Sequence, residues 1–435
     1  MRKEIIVSVE KDNDFKKKLL VYGNKFKRFA FLDSNNFNLN KSEYTYFEYN
    51  FLAGLGSIEE ITGTGIDSFK NLYEFNKNTK DWLFGYLTYD LKNEIENLDS
   101  NNIDELAFPA LHFFSPEIVI ISKDSRISFL YYDEQYTEEE IGNIIRTIKS
   151  TDLSSINKKN LSIELKHRIN KDEYIETIKE LKNHIQQGNI YEINFCQEFY
   201  SSSTIDPINT YSKLNEISPT PFSCFYKLND KYLMSASPER FLKKVKNKVI
   251  SQPIKGTIKR GSNEIEDSSL KEKLYNDPKE RAENVMIVDL VRNDLSRTAK
   301  KNSVKVEELF GIYGFSQVFQ LISTITSEVS KDTNLIDIIK NAFPMGSMTG
   351  APKFRAMQLI EEYEKTKRGL YSGSVGYITP DNDFDFNVII RSILYNQTRN
   401  YVSFTVGGAI TSLADPEEEY KECMLKAEAM MKVLK

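Results

Sequence analysis

The stretch Ile190-Tyr-Glu-Ile-Asn-Phe-Cys-Gln-Glu-Phe199 marks a change of period in the chain. Before it, Tyr174, Ile178, Leu181 and Ile185 recur at helical spacing across Lys171–Gln187, and Gly188 ends the pattern. Within it the period is two. Tyr191, Ile193, Phe195 and Gln197 point one way, and Glu192, Asn194, Cys196 and Glu198 the other. Two further strands are expected at Cys224–Leu228 and Tyr232–Ser235, followed by Ser237-Pro238-Glu239. A helix handing over to several strands in succession is not the regular alternation of a doubly wound parallel sheet.

The same irregular order continues towards the C-terminus. Val249–Ile258 reads as a strand, and Asp277–Leu295 as a helix with Asp277 as cap and Pro278 at its first position. Gln317–Thr326 is strand-like, and the glycine-containing loop Gly346–Pro352 leads into a helix over Lys353–Glu364. Strands are expected at Gly373–Thr379, Phe386–Leu394 and Tyr401–Val406, then a turn at Gly407-Gly408. A helix over Pro416–Leu434, capped by Asp415, closes the chain. Towards the N-terminus, Glu4–Glu10, Trp82–Tyr89, Glu117–Ser122 and Arg126–Tyr132 read as strands. The fold class is α+β with mainly antiparallel sheets. Polar Lys149–Asn160 is the best boundary, dividing an N-terminal part, 1–165, from 166–435, the two halves expected to intertwine in one domain.

Composition narrows the function classes. The 435 residues are 40% hydrophobic and 28% charged, the balance of a globular protein with a sizeable core. A net charge of -5 argues against a nucleic-acid binder, so an anionic ligand needs a local basic pocket. Cys196, Cys224 and Cys423 form neither a Cys-x-x-Cys pair nor an even disulfide set, which fits a reducing compartment. No apolar run approaches the ~18–20 residues that cross a bilayer, and Met1–Asp12 lacks a signal-peptide core. The expectation is a cytoplasmic protein with no membrane partner. His112, His167 and His184 have contexts that do not suggest a Ser-His-Asp hydrolase.

Several side chains suggest chemistry, each with a plainer reading. Lys255, in Pro253-Ile-Lys-Gly-Thr257, is either a solvated lysine beside a turn or a desolvated amine whose lowered pKa frees a nucleophilic lone pair. Glu419, Glu422 and Lys426 form one stripe on the last helix, and Glu280 and Glu283 share a face of another. Each pair is an ordinary acidic first turn, or part of a Mg2+ site if the two helices meet. Gly346–Lys353 fails the Walker pattern but can present backbone N–H groups to a carboxylate, as can Gly407-Gly408. Arg391, inside the apolar run Val388–Leu394, calls for an anionic partner, which is either a ligand or an internal salt bridge.

Read together, these segments resemble the chorismate-utilising enzymes over about residues 168–435. The resemblance is carried by Gly188–Phe195, Ser237-Pro-Glu239, Pro253–Thr257 and Asp277–Glu283 running into Val288–Asp294. It continues through Phe343–Lys353, Tyr371–Gly376, Ile390-Arg391 and Asp415–Lys426. It implies an α+β fold of two large antiparallel sheets enclosing the active site, with helices outside. It implies that Glu283 and Glu422 bind Mg2+, with Glu280 and Glu419 in support. Tyr371 and Arg391 would hold the enolpyruvyl carboxylate of chorismate. Lys426 and the Gly407-Gly408 amides would hold the ring carboxylate, and Gly256, Thr257 and Ser347 would line the pocket. Glu239 would protonate the departing C4 hydroxyl.

Lys255 then chooses among members of the family. Pro-Ile-Lys-Gly-Thr resembles the enzymes that form 4-amino-4-deoxychorismate, component I of aminodeoxychorismate synthase, towards 4-aminobenzoate and folate. Anthranilate synthases typically carry Ala in place of the lysine. The implied mechanism is attack of the lysine on C2, then of ammonia on C4, with ammonia from a separate glutamine amidotransferase. The rival readings are anthranilate synthase component I and a non-catalytic chorismate-binding regulatory subunit. Glu192 departs from the Gln of amine-using relatives, Gln320 from a common His, and Ala409 from the second glycine of a Gly-x-Gly.

Overall fold

The period-two stretch becomes the strand Glu192–Ser202, which pairs antiparallel with Tyr401–Ile410 from Ile193 opposite Ile410 to Ser202 opposite Tyr401. One face carries Ile193, Phe195 and Phe199 into a core with Tyr174, Ile178 and Leu181 of the helix Lys171–Gln186. The rings of Phe195 and Tyr174 lie 5.2 Å apart. Burying each such side chain contributes about 1.5–3 kcal/mol, so register here is tightly specified. Tyr191 precedes the strand and is exposed, unlike the other residues of its stripe. The computed structural model describes residues 2–8, 14–37, 48–123, 125–154, 156, 163–315 and 318–435.

Two large sheets organise the described residues, one of twelve strands and one of ten. The first runs from Lys3–Ser8 through Arg28–Asp33, Phe222–Leu228, Lys231–Ser237, Ser392–Asn396 and Tyr401–Ile410 to Glu192–Ser202 and Gly350–Ala351. The second runs from Ile254–Lys259 through Val318–Glu328, Lys248–Gln252, Arg240–Val245, Phe384–Asn387 and Ser374–Ile378 to Leu83–Leu87, Leu111–Ser115 and Glu59–Gly63. Their paired strands are antiparallel, and each sheet draws strands from both sides of residue 165. A shared core of Ala30, Tyr226, Leu233 and Leu394 from one sheet and Phe84, Tyr86, Phe114 and Val375 from the other packs them face to face. Helices cover the outer faces. Lys171–Gln186 and Pro416–Leu434 lie on the first sheet, and Pro278–Ser296 and Leu335–Ala342 on the second. This is the α+β architecture of two antiparallel sheets expected from the sequence.

Three expected elements differ in ways that shape the site. Val249–Ile258 is two strands, Lys248–Gln252 and Ile254–Lys259, parted at Pro253, which has no N–H for the ladder. Phe386–Leu394 is also two, Phe384–Asn387 in one sheet and Ser392–Asn396 in the other, with Arg391 at φ +50° in the crossing between them. Gly407-Gly408 makes no turn. Both lie inside the strand Tyr401–Ile410, where a Cβ on Gly407 would stand 2.3 Å from Cys196 Sγ. Glycine serves close strand packing there, not chain reversal. Within the expected boundary segment Lys149–Asn160, residues 155 and 157–160 lie outside the described residues, as does Gln317.

Candidate active site

The site forms where the chain crosses twice between the sheets. Ser237-Pro238-Glu239 carries it from Lys231–Ser237 to Arg240–Val245, and Val388–Arg391 carries it back. The crossings are tied together: the Val388 N–H donates to Glu239 O at 3.0 Å, and Ser237 Oγ to Val388 O at 2.5 Å. Glu239 is thereby fixed in the interior, where Ser347 Oγ donates to its Oε1 at 2.7 Å. Burial pushes the Glu239 carboxyl up to about 7, against the pull of Ser347 and the Lys255 charge. A carboxyl in that range can hold a proton at neutral pH and give it to a leaving group. Burial lowers the Arg391 guanidinium pKa, with Glu239 opposing, yet among the described residues no carboxylate forms an ion pair with Arg391. The internal salt bridge that was one reading of this arginine is therefore not formed among the described residues.

Lys255 reaches the same space through a bulge. Ile254 pairs with Ile322 and Thr257 with Gln320, so one extra residue is accommodated around Lys255-Gly256, and Gly256 takes φ +96°. That φ strains any L side chain, and a Cβ on Gly256 would also crowd Leu321 Cδ1 at 2.9 Å and Glu280 Oε2 at 3.1 Å. Asn284, held by Ser323 Oγ at 2.6 Å, donates from Nδ2 to Lys255 O at 3.5 Å. The Lys255 ammonium donates to Glu192 Oε1 at 2.7 Å. Burial, the largest influence, lowers its pKa, but Glu192, Glu283 and Glu239 outweigh it and leave the amine above its usual value. The expected lowering by desolvation is thus reversed by surrounding carboxylates.

Two helices bring the predicted carboxylates together. Asp277 caps Pro278–Ser296 by accepting from the Lys279 and Glu280 N–H groups, and Asp415 caps Pro416–Leu434 in the same way. Lys279 joins them, donating from Nζ to Glu419 Oε1 at 3.1 Å and standing 4.0 Å from Glu283 Oε1. Glu422 pairs with Lys426 at 2.7 Å, and Lys426 also donates to Gly407 O at 3.1 Å. Gly408 presents bare backbone 3.3 Å from Glu419 Oε2, measured from the position a Cβ would take. Burial raises Glu283 to about 7, assisted by Glu192 and Glu280, and its buried Oε1 has no hydrogen-bond partner among the described residues. Among the described residues no three His, Cys, Asp or Glu side chains are grouped to hold an ion as they stand. The donor chemistry nevertheless fits a hard divalent cation: oxygen ligands from two helices, a buried carboxylate oxygen with no hydrogen bond among the described residues, and mutual repulsion that a cation would relieve.

The remaining predicted residues divide. Tyr371 is buried, with its hydroxyl 3.5 Å from Cys196 Sγ. Thr257 is exposed and accepts from Gln320 Nε2 at 3.3 Å. Sequence reasoning missed Glu364 and Arg368, a fully interior pair. Arg368 Nη2 donates to Glu364 Oε1 at 2.7 Å and to Asn194 O at 2.7 Å, and Nη1 to Met348 O at 2.6 Å. The pair locks the Ser347 turn onto the Glu192 strand. Its sequence signal was an i,i+4 Glu–Arg pair, which on an exposed helix means little.

The chain belongs to the family of chorismate binding enzymes, which matches it over residues 39–432. It is 31% identical to aminodeoxychorismate synthase component 1 of Bacillus subtilis, over 80% of this chain and 76% of that protein. It is 32% identical to anthranilate synthase component 1 of Aquifex aeolicus, over 81% of this chain and 74% of that one. Anthranilate synthase component I from Streptococcus pneumoniae superposes with a TM-score of 0.78 at 23% identity, covering 93% of this chain and 92% of that one. The isochorismate synthase MenF of Escherichia coli superposes at 0.76 with 16% identity, covering 100% and 94%. The two structural likenesses speak to the fold alone. No described helix is long and apolar enough to cross a membrane.

Proposed function

We propose that this chain is the synthase component that aminates chorismate at C4, giving 4-amino-4-deoxychorismate. The observation that carries the reading is the Lys255 amine, projected by the Gly256 bulge into a buried site shared with the Glu239 carboxyl. Arg391 and Tyr371 would take the enolpyruvyl carboxylate, and Lys426 and the Gly407-Gly408 amides the ring carboxylate. Bound at both ends, the ring is held with C2 towards Lys255 and C4 towards Glu239. The amine attacks C2 while the C4–O bond breaks, and Glu239 protonates the departing hydroxide to water. Ammonia then adds at C4 and expels the lysine from C2. Glu283 and Glu422, with Glu280 and Glu419, would hold a Mg2+ ion whose positive charge would bind and orient the ring carboxylate. Ammonia would come from a separate glutamine amidotransferase.

Incubation with chorismate without ammonia, followed by intact mass measurement, tests the reading. The expected mass increase is that of chorismate less one water, absent from Lys255→Ala. A wild-type protein that makes product with no adduct on Lys255 contradicts it. Amination at C2, giving anthranilate, is the second reading, supported by the 32% identity to anthranilate synthase component 1 beside 31% to aminodeoxychorismate synthase component 1.

A further inference from the structure

Glu192 is the residue whose surroundings the proposed reaction leaves unexplained. Its carboxylate is 1% exposed, lies on the strand Glu192–Ser202 and accepts from Lys255 Nζ with Oε1 at 2.7 Å. Its second oxygen, Oε2, is buried with no hydrogen-bond partner among the described residues. A purely structural ion pair in the interior has its remaining lone pairs satisfied, because an orphaned carboxylate oxygen is costly. Here one oxygen is committed to the reacting amine and the other is bare. The charges of Glu239 at the sheet crossing and Glu283 on the helix Pro278–Ser296 also act on Lys255, but among the described residues only Glu192 stands within ion-pair distance of its Nζ. Glu280 and Glu422 lie near enough for the Lys255 charge to act on them. Of these, Glu192 makes the hydrogen bond to Nζ.

We propose that Glu192 is a catalytic base that takes the proton from the Lys255 ammonium and returns it when the lysine departs. The proposal rests on the lysine-nucleophile reading above. A protonated amine has no lone pair, and an ammonium among carboxylates holds its proton firmly. Transfer along the 2.7 Å hydrogen bond leaves a neutral amine and a neutral Glu192 carboxylic acid. The amine lone pair forms the N–C2 bond, both ring double bonds shift by one position, and the C4–O pair leaves with the proton of Glu239 as water. The adduct nitrogen carries the positive charge. When ammonia bonds to C4, the C2–N pair returns to the lysine as a neutral amine, which recovers its proton from Glu192. The new C4 ammonium gives one proton back to Glu239, so each turnover consumes chorismate and ammonia and releases amine and water. The Gln that the resemblance led one to expect at position 192 can accept the hydrogen bond but not the proton.

The test follows adduct formation on Lys255 by rapid mixing with chorismate and mass measurement from pH 6 to pH 10. Glu192→Gln keeps the shape and the acceptor. It should slow adduct formation by about 100-fold at pH 7. The deficit should close as pH rises and solvent takes the proton instead. Chorismate Kd should change less than threefold, and Glu192→Asp, which keeps a base, should be intermediate. Circular dichroism melting of both variants in the same buffers verifies folding. A Glu192→Gln rate equal to wild type with the same pH profile overturns the proposal while leaving the lysine nucleophile standing. A pH-independent loss of equal size in Gln and Asp variants also overturns it, since that marks a role in packing. Wild-type protein that forms no adduct overturns the lysine reading itself, and the proposal with it.

Discussion

Ser347 Oγ donates to Glu239 Oε1 at 2.7 Å, joining the Gly346–Met348 turn to a crossing between the two sheets. Both residues are buried, so this hydroxyl decides where the Glu239 proton points. The donor favours the charged carboxylate and holds its pKa below what burial alone would give. Ser347→Ala should therefore shift the alkaline limb of kcat/KM to higher pH, because Glu239 must be protonated to act and loses that proton as pH rises through about 7. Lost orientation should cost roughly 10-fold in kcat, and Glu239→Gln roughly 100-fold or more. A pH–rate profile of each variant checks both.

Arg391 has no carboxylate ion-pair partner among the described residues, which suits a guanidinium waiting for an anionic ligand. Arg391→Gln should raise the chorismate KM by roughly 10- to 100-fold, corresponding to the loss of a charge-assisted pair. Arg391→Lys should recover only part of this, because an ammonium lacks the planar fork. Without ligand, Arg391→Gln should melt no lower than wild type, since it removes a half-buried cation that has no carboxylate ion-pair partner among the described residues. Steady-state kinetics and thermal melting read the two effects separately.

Glu283 titrates near 7 in the folded chain and at its ordinary, lower value when unfolded. Its penalty is absent where both states are protonated. It grows as pH rises from the unfolded pKa and is complete above about 7. Glu283→Gln should therefore be more stable than wild type at pH 8, by on the order of 1–3 kcal/mol, with the gap closing near pH 4. Mg2+ should raise the wild-type Tm at pH 8 and leave that of Glu283→Gln nearly unchanged. An equal Mg2+ shift in both proteins would place the cation elsewhere.

Arg368 holds Glu364 and two backbone carbonyls out of water. Arg368→Ala should cost about 3–5 kcal/mol in urea unfolding, because it strands a buried carboxylate. The double change Glu364→Leu with Arg368→Met should cost less than Arg368→Ala alone, since neither partner is then left charged.

What could be read from sequence was mostly local. The Asp277-Pro278 and Asp415-Pro416 starts announce helices because cap and first-turn chemistry lie within a few residues. The same Asp-Pro signal begins the helix Pro207–Ile217, which sequence reasoning passed over. Glu264–Asn276 buries only Leu274 and so has no apolar stripe to read. The site residues were located by their resemblance to a family, while the contacts that set their behaviour were not. Lys255 meets Glu192 across 63 residues of chain, and no local pattern reports a carboxylate brought to an amine by sheet packing. The Gly407-Gly408 pair misled because glycine serves turns and close strand contacts alike.

The ring carbon that receives nitrogen separates C4 amination from the anthranilate reading. The purified chain, given chorismate, Mg2+ and ammonium at high pH, should yield a product that becomes 4-aminobenzoate only after a lyase is added. Direct appearance of fluorescent anthranilate would contradict it.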